Sequence, residues 1–341
     1  MAGNGSTAVG NTASASGQFA VAIGVAASAP VDNATAVGFL ATASGVGSTA
    51  TGVGATASGE NSIASGNLAT ASGLNMIAIG TNATARPPVV GAQDDNIAIG
   101  ANSMSTGTHS TAIGALADAT GIGSTAIGWQ ADAIANNTTA LGNSAKANAV
   151  GSSALGRLST VDAAATNSTA IGFQASVTAT ATNSVALGAN SVANQANTVS
   201  VGTVGGERRV VNVAAGTAGT DAVNVSQLTA TNGMIAAETA SRQSADAALS
   251  SRLDNLSFDV RDAQREGRAG TAAALAAAGL PQASGEGRTM IAGGVGTYRG
   301  KAAFAIGASH RLQDGNATFK VGLTYDSEQT VGANGGVGFE F

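Results

Sequence analysis

The sequence predicts a mixed fold class, in which a stacked β-solenoid, a coiled-coil helix and a set of membrane-barrel strands follow one another. Three observations predict it. A tripeptide Ala-(Ile/Val/Leu)-Gly recurs with a period of 14 residues, a heptad pattern begins at Val225, and four amphipathic segments lie within residues 288–341. A fixed period sustained over some 200 residues indicates stacked coils, because one such unit cannot bury its apolar face alone.

The repeat is marked by glycines whose spacing is 14 residues at ten of thirteen steps, 20 at one step and 16 at two. Alanine lies two residues before thirteen of the fourteen glycines, and an aliphatic residue usually lies one before. Alanine also recurs three and five residues after it, as in Ala41 and Ala43. Alternation of this kind predicts two short strands per coil with a turn at the glycine. The repeat glycines are at positions 10, 24, 38, 52, 66, 80, 100, 114, 128, 142, 156, 172, 188 and 202.

Two features interrupt the repeat. Thr51 and Ser65 replace the aliphatic residue in consecutive coils, where we expect the stack to be softest. The 20-residue step contains Arg86-Pro87-Pro88 and Asp94-Asp95. Because proline cannot donate a hydrogen bond to a strand ladder, this step predicts a loop ejected between coils.

Composition limits the function further. Glycine accounts for 48 of 341 residues and aromatics for 3%, so any core must be thin and lined by small side chains. A net charge of -5 provides no attraction for nucleic acid. The chain has no cysteine, which excludes disulfides and thiolate metal sites. Residues 1–200 hold only three basic side chains, and the charge density rises after residue 203. No signal peptide precedes the repeat, so we expect either an internal protein or a sequence that starts after such a segment.

A specific pattern follows the repeat. Arg208 and Arg209 precede Asn-Val-Ala-Ala-Gly-Thr (212–217), and Asp-Ala-Val-Asn-Val-Ser-Gln-Leu follows at 221–228. This segment resembles the neck of the trimeric autotransporter adhesins, the YadA-like family, and the 14-residue units resemble the left-handed parallel β-roll head of that family. The resemblance implies a neck built on Arg208, Arg209, Asp221, Asn224 and Gln227. We expect the side chains of these two arginines either to form pairs between chains or to cap the transition from strand to helix.

The heptad pattern predicts a coiled-coil stalk. Its core positions alternate in steps of three and four from Val225 and Leu228 to Val260 and Ala263. Thr239, Arg242 and Asp246 are polar residues that would all be buried on core positions. They form either a polar layer that fixes the register or a stutter that shifts the frame. Residues 272–278, six alanines and one leucine, then predict a slim helix suited to a narrow pore.

The last segment predicts four strands. Phe319, Val321, Leu323 and Tyr325 alternate with small or polar residues, as in transmembrane barrels. An open sheet edge is not tolerated in lipid, so four strands require other copies. Three copies supply 12 strands, and the predicted fold is a homotrimer with a β-roll head, a trimeric coiled-coil stalk and a 12-stranded transmembrane β-barrel.

The same family resemblance extends to this anchor. The segments Gly-Val-Gly-Thr-Tyr-Arg (294–299) and Ala-Phe-Ala-Ile-Gly (303–307) are similar to its C-terminal anchor. The resemblance implies that Gly307 makes room for helices in the pore and that Phe341 acts as a signal to the barrel-assembly machinery. The predicted domains are a head (1–202), a neck (203–228), a stalk (229–270), a pore helix with linker (271–287) and an anchor (288–341).

Other sites receive weaker support. Phe39, Trp129 and Phe173 each follow a repeat glycine, so they are candidates for ligand contact, with local packing at the coil corner as the alternative. His109 and His310 are isolated and fit surface or turn positions. Glycine pairs such as Gly45 and Gly47 lack the helix that a dinucleotide fingerprint requires. No catalytic triad, carboxylate pair or metal-ligand cluster is visible, so we expect neither an enzyme nor a cofactor.

The leading hypothesis is therefore a trimeric adhesin on the outer membrane and cell surface of a Gram-negative bacterium. Its expected partners are outer-membrane lipid and a host matrix or cell-surface ligand, and the family implies that the anchor assists export of its own passenger. The alternative is an ice- or surface-binding solenoid, although isoleucine and valine interrupt the threonine positions that such a protein needs. A solenoid that degrades polysaccharides would need clustered acids and bases, and ten charges over 200 residues disfavour it.

Overall fold

The computed structural model describes residues 3–88 and 95–340. The chain divides into two compact units, residues 1–211 and 212–341.

The first unit is a solenoid of two parallel sheets in which every strand has only two or three residues. Consecutive strands of each sheet are one coil apart in the sequence. The first sheet contains β1 (Thr7–Val9), β2 (Val21–Ile23), β3 (Thr35–Val37), β5 (Thr49–Thr51), β7 (Ile63–Ser65), β9 (Ile77–Ile79), β11 (Ile97–Ile99), β13 (Thr111–Ile113), β15 (Thr125–Ile127), β17 (Thr139–Leu141), β19 (Ser153–Leu155), β21 (Thr169–Ile171), β23 (Val185–Leu187) and β25 (Val199–Ser200). The second contains β4 (Thr42–Ala43), β6 (Thr56–Ala57), β8 (Thr70–Ala71), β10 (Thr84–Ala85), β12 (Met104–Ser105), β14 (Asp118–Ala119), β16 (Asp132–Ala133), β18 (Lys146–Ala147), β20 (Thr160–Val161), β22 (Ser176–Val177) and β24 (Val192–Ala193).

Alanine forms the core between the two sheets. Ala22 and Ala36 lie in register on neighbouring first-sheet strands and are fully buried. On the side of the second sheet, Ala41 and Ala43 are buried in this core, and Thr42 between them points outward. The predicted two-strand coil is confirmed. The small side chains let the two sheets approach closely. Ser or Thr lies four residues before most of the repeat glycines, and some of these hydroxyls donate to turn carbonyls, as Ser62 does to Gly59 at 2.7 Å.

The repeat glycine is required at the turn. Gly24 has a φ of +133°, which side-chain-bearing residues rarely adopt. A Cβ atom there would also lie 2.7 Å from the carbonyl carbon of Gly38 in the next coil. The residue two positions after the repeat glycine has a left-handed backbone conformation, as Asn82 and Asn102 do. Among residues other than glycine, asparagine tolerates this conformation best.

The 20-residue step keeps the register of both sheets. Ile77 pairs with Ile97 and Thr84 pairs with Met104, so the pairing of both sheets continues across this step. Asn96 is fully buried beside this insertion. Its Nδ2 donates to the carbonyl of Arg86 at 2.9 Å, and its Oδ1 accepts from the backbone of Ser110 at 3.1 Å. The predicted loop itself, from residue 89 to Asp94, lies outside the described residues.

The second unit begins with one helix, α1 (Val225–Ala278), of 54 residues. It includes both the predicted stalk and the predicted alanine segment without a break. At 1.5 Å per residue it is about 80 Å long. Most of its large apolar side chains are exposed in a single chain, including Leu228, Ile235, Leu249, Leu253 and Leu256.

Four antiparallel strands follow: β26 (Thr289–Tyr298), β27 (Lys301–Arg311), β28 (Ala317–Asp326) and β29 (Val331–Phe339). They pair in chain order, so β26 and β29 are the edges of the sheet. The predicted alternation is confirmed, since Phe319, Val321 and Leu323 are exposed on one face while Gly322 and Thr324 are buried on the other. The alanine end of α1 packs on this second face, against β26, β27 and β28.

Candidate functional site

An aliphatic stripe follows the outward face of the first sheet. Its side chains occupy the position before each repeat glycine, and many are more than a third exposed in the single chain. Thr51 and Ser65 interrupt it, and the Thr51 hydroxyl donates to that of Ser65 at 2.9 Å. The members are Val9, Ile23, Val37, Ile79, Ile99, Ile113, Ile127, Leu141, Leu155, Ile171 and Leu187.

The three candidate aromatic residues of the head lie in one column of corner positions. Phe39, Trp129 and Phe173 are 50%, 48% and 40% exposed. Phe173 has a local partner, because the Arg157 guanidinium lies 5.2 Å from its ring centre. The column thus offers separate exposed rings rather than one pocket.

A short column of charge crosses the second sheet. Asp118, Asp132 and Lys146 lie in register on consecutive strands, and Lys146 is 3.3 Å from Asp132. Burial raises the pKa of Asp118, and the charge of Asp132 raises it further. Within the described part of the chain, no group donates to the buried Oδ1 of Asp118.

Arg208 terminates the solenoid. Its guanidinium donates to the carbonyls of Val201 and Ala189 and to the Ser191 hydroxyl, the first at 2.6 Å and the last at 3.0 Å. In earlier coils the carbonyl at the position of Ala189 accepts a backbone N–H from the next coil, as Phe173 does from Asn190 at 2.8 Å. Arg208 therefore supplies the donor that a further coil would supply. Arg209 is exposed.

The other predicted neck residues meet at the start of α1. Asn224 is the N-cap and accepts from the backbone of Gln227 at 3.1 Å, which completes a capping box. The Gln227 side chain also accepts a hydrogen bond from the backbone N–H of Gly216 and donates one to the Gly216 carbonyl, both at 2.9 Å. Asp221 accepts from the backbone N–H groups of Ala218 and Thr217, which hold the pKa of Asp221 below its ordinary value.

Glycines of the anchor sheet make room for the end of α1. Gly307 pairs with Gly322 across β27 and β28, and a Cβ atom on it would lie 2.8 Å from Leu280 Cδ1. Two further glycines were not predicted from the sequence. A Cβ atom on Gly294 would lie 2.5 Å from the Ala276 carbonyl oxygen, and one on Gly296 would lie 2.5 Å from the Ala276 nitrogen. The sequence signal that could have found them is their Gly-x-Gly spacing, which places both glycines on one face of the strand. Phe341 lies outside the described residues.

Two polar residues of the sheet bind the end of α1 and the segment that follows it, and sequence reasoning missed both. Lys320 Nζ donates to the carbonyls of Ala277 and Leu280 at 3.1 and 3.3 Å. Ser309, the cross-strand partner of Lys320, accepts from the backbone of Ala283 at 2.8 Å. The alternation of β28 indicated that Lys320 faces inward, but nothing local indicated its partners.

The opposite end of the sheet holds an ion cluster. Glu328, in the turn between β28 and β29, pairs with Lys301, and Arg265 of α1 lies 3.7 Å from it. The hydrogen bond from Lys301 holds the pKa of Glu328 below its ordinary value, and the charges of Lys301 and Arg265 act in the same direction.

The described residues contain no group of three His, Asp or Glu side chains that could hold a metal ion. His109 occupies a left-handed turn, and His310 is exposed with Nδ1 2.9 Å from the Thr289 hydroxyl. In the part of the chain that the structure describes, no helix is both long and apolar enough to cross a bilayer.

A repetitive solenoid, a capped helix and a small glycine-lined sheet define a class of modular proteins built from successive parts. The comparisons identify the family. Residues 281–341 match a YadA-like membrane anchor domain, and residues 209–250 match the coiled stalk of trimeric autotransporter adhesins. Eleven overlapping segments between residues 2 and 203 match the YadA head domain repeat. Because these matches cover most of the chain, it belongs to the YadA-like family of trimeric autotransporter adhesins.

Two curated relatives are similar over shorter segments. The autotransporter adhesin NhhA of Neisseria meningitidis serogroup B (strain ATCC BAA-335 / MC58) is 40% identical over 93 residues, which is 27% of this chain and 15% of NhhA. The autotransporter adhesin BtaF of Brucella suis biovar 1 (strain 1330) is 36% identical over 83 residues, 24% of this chain and 30% of BtaF. The chain therefore matches less than a third of either relative.

A crystal structure of the collagen-binding domain of the Yersinia adhesin YadA is 28% identical in sequence. The alignment covers 64% of this chain and 86% of that domain, with a TM-score of 0.24.

Proposed function

We propose that this chain is a trimeric adhesin, held in the outer membrane of a Gram-negative bacterium by its C-terminal sheet. The observation that carries the proposal is the four-stranded sheet with two open edges and an apolar outer face. Unpaired backbone groups at such edges cost several kcal/mol each in lipid, so the sheet has to close with other copies. Three copies give a 12-stranded barrel.

The space beside α1 supports the same stoichiometry. A cavity of about 600 Å³ lies between the helix and β29. Ala273, Ala277, Thr324, Gly332 and Asn334 are among the residues that line it. Most of the lining residues are glycine or alanine, although Lys320 and Asp326 also contribute. Such a lining fits the alanine-rich helix of a second copy, and three such helices would fill a shared pore.

The head and the stalk also present faces for other copies. The aliphatic stripe on the first sheet is one apolar surface along the solenoid, and burial of such surface contributes about 25 cal/mol per Å². The exposed heptad residues of α1 need partners in the same way. A homotrimer covers both, and the neck residues Arg208, Arg209, Asp221, Asn224 and Gln227 connect them.

The proposed activity is attachment. A head of repeated coils in three copies presents many equivalent contact positions, so weak contacts gain strength through effective concentration. The exposed corner residues Phe39, Trp129 and Phe173 are the proposed contacts with a matrix or cell-surface ligand. The proposal includes no catalysis and no cofactor.

The anchor has two further proposed roles, in assembly and in export. The terminal Phe341 would present the strand to the barrel-assembly machinery, and the barrel would assist passage of the head and stalk. Gly307 would keep the pore wide enough at the level of Leu280 for the chain to pass.

Oligomeric mass tests the anchor. The full chain, purified in mild detergent, should have three times the mass of one chain by light scattering corrected for bound detergent. A monomer would contradict the proposal, because four strands cannot close alone.

Adhesion is tested separately. Gram-negative cells that display the full chain behind an added export signal should bind immobilised matrix proteins more than cells that display residues 212–341 alone. Trp129→Ala should weaken attachment, and Leu116→Ala, a neighbouring corner residue, is the control. Equal attachment of head-bearing and headless cells would contradict an adhesive head.

A further inference from the structure

The end of α1 enters the anchor sheet as a smooth rod. From Ala269 to Ala278 it has no charged side chain, and its nearest contacts with β26 are alanine backbone and Leu275 Cβ against Gly294 and Gly296. One helical turn advances about 5.4 Å, close to the roughly 6.6 Å of two strand residues. Ala292 continues the small face of β26 before Gly294, so small groups meet again after a slide of about one turn. Packing of this kind holds the helix against the wall but does not select one depth.

Polar contacts at one end of the rod do select a depth. The last turn of α1, Leu275–Ala278, is apolar, so its free carbonyls receive no basic side chain from the helix itself. Lys320 supplies that cation from β28, on the carbonyls of Ala277 and Leu280. A cation is favourable at this end because the helix dipole is negative there. Ser309 beside it fixes the next segment through Ala283.

A second contact lies at the other end of the sheet. The turn that holds Glu328 is itself fixed, because Asp326 accepts from the backbone of Glu328 at 2.9 Å and of Thr330 at 3.0 Å. Glu328 is therefore a positioned carboxylate when Arg265 approaches it. Arg265 and Ala277 are 12 residues apart, or about 18 Å along the helix. Only one depth of α1 satisfies both contacts.

We infer that Lys320 with Ser309 at one end, and Glu328 with Lys301 at the other, form a two-point lock that fixes the depth of α1 in the anchor. The inference rests on the proposed function, in which the helix lies inside a barrel through which the chain has passed. The lock forms only when Ala277 reaches Lys320 and Arg265 reaches Glu328. It defines where export stops, and the smooth alanine segment permits sliding until that point.

Thiol labelling of the full chain tests the lock. Because the chain has no cysteine, Ala269→Cys introduces a single thiol at a fully buried position at the start of the rod. A water-soluble maleimide should react slowly with it in detergent. Addition of Lys320→Met should raise the labelling rate about tenfold. A factor of this size corresponds to the free energy lost when hydrogen bonds from a charged donor are removed. Lys320→Arg should restore slow labelling, because it keeps a cation at the same place.

Matched controls separate sliding from general loosening. Thr318→Val changes a polar residue on the same face of β28 and should leave labelling unchanged. Glu328→Gln should raise labelling by about twofold, as expected for a largely solvated ion pair. Glu340→Gln breaks the 2.7 Å ion pair between Glu340 and Arg311, and this variant should not raise the labelling rate. Fraying of the last helical turn alone would expose residues near Leu280 but not Ala269.

Equal labelling of the parent, Lys320→Met and Glu328→Gln would overturn the lock. If Lys320→Met does not assemble, Glu328→Gln and Lys320→Gln decide the question, and slow labelling of both would overturn it. Particle mass is measured on every variant. Unchanged trimers with unchanged labelling contradict the lock alone, whereas a monomeric parent chain contradicts the proposed function.

Discussion

The guanidinium of Arg208 donates to the carbonyl oxygen of Ala189, 19 residues earlier, where the backbone of another coil would otherwise donate. A solenoid exposes a row of unpaired backbone groups at its last coil, and such edges are prone to pairing with other chains. Arg208 covers part of this edge with a fixed charge. The solenoid therefore has a defined end rather than a frayed one.

Arg208→Met should loosen the last two coils. Loss of hydrogen bonds from a charged donor to two carbonyls costs about 1–2 kcal/mol. Backbone hydrogen exchange in β23 and β25 should rise about tenfold, while exchange in β9 and β11 stays unchanged. Arg209→Met, the exposed neighbour, is the control. Equal effects of the two variants would show that charge alone, and not the contact with Ala189, stabilises this end.

Asp118→Asn should stabilise the head at pH 7. The pKa of Asp118 is raised above its ordinary value of 3.8, so the folded state binds this proton more tightly than the unfolded state. Ionisation of Asp118 therefore lowers stability progressively as the pH rises from 3.8 through the raised pKa. The gain should stay below about 1 kcal/mol, because solvent screens a half-exposed group.

The measurement is thermal unfolding of the full chain, followed by circular dichroism at pH 7 and below pH 3.8. The melting temperature of Asp118→Asn should exceed that of the parent at pH 7, and the difference should vanish in acid. Asp162→Asn removes the same charge from an exposed position and serves as the control. A lower melting temperature for Asp118→Asn at pH 7 would contradict the argument.

Asn224→Ala should fray the start of α1. The substitution removes the N-cap and its contact with Val213, at a cost of about 1 kcal/mol. Hydrogen exchange in the first two turns should increase about fivefold, and exchange beyond Leu249 should not change. Ser226→Ala, within the same turn, is the control. If both variants exchange alike, the capping box contributes nothing to the neck.

Gly296→Ala should destabilise the anchor. The new methyl would lie 2.5 Å from the Ala276 nitrogen and 3.0 Å from Leu275 Cβ, and backbone cannot move aside cheaply. Overpacking of this kind costs about 1–3 kcal/mol. The proposed trimer should dissociate at a lower temperature in dodecyl sulfate.

Gly335→Ala is the matched control for that variant. A Cβ atom there meets its nearest neighbour, the Lys320 carbonyl oxygen, at 3.6 Å, an ordinary contact. It should leave dissociation unchanged. If Gly296→Ala dissociates at the parent temperature, α1 does not pack on β26 as the structure describes.

Several elements could be predicted because their signals are local. The turn glycines and the alternating strands of the anchor each follow a repeated spacing. Asn224 and Gln227 were expected in the neck only through the family resemblance, and their capping role was not predicted. Asn96 could not be predicted as a buried residue, since its partners Arg86 and Ser110 come together only after the 20-residue insertion has been placed. The role of Arg208 as a hydrogen-bond donor to the last coil could not be predicted either, because it depends on which carbonyl that coil leaves free.

The sequence by itself determined the period of the head, the extent of the heptad pattern and the apolar face of the anchor strands, because each is a spacing of side chains along one element. Only the tertiary structure decided which polar groups meet. Lys320 lies 43 residues after Ala277, and Glu328 lies on a turn far from Arg265 in sequence. Such contacts depend on the depth at which α1 packs in the sheet, and a smooth alanine surface leaves no trace of that depth in the sequence.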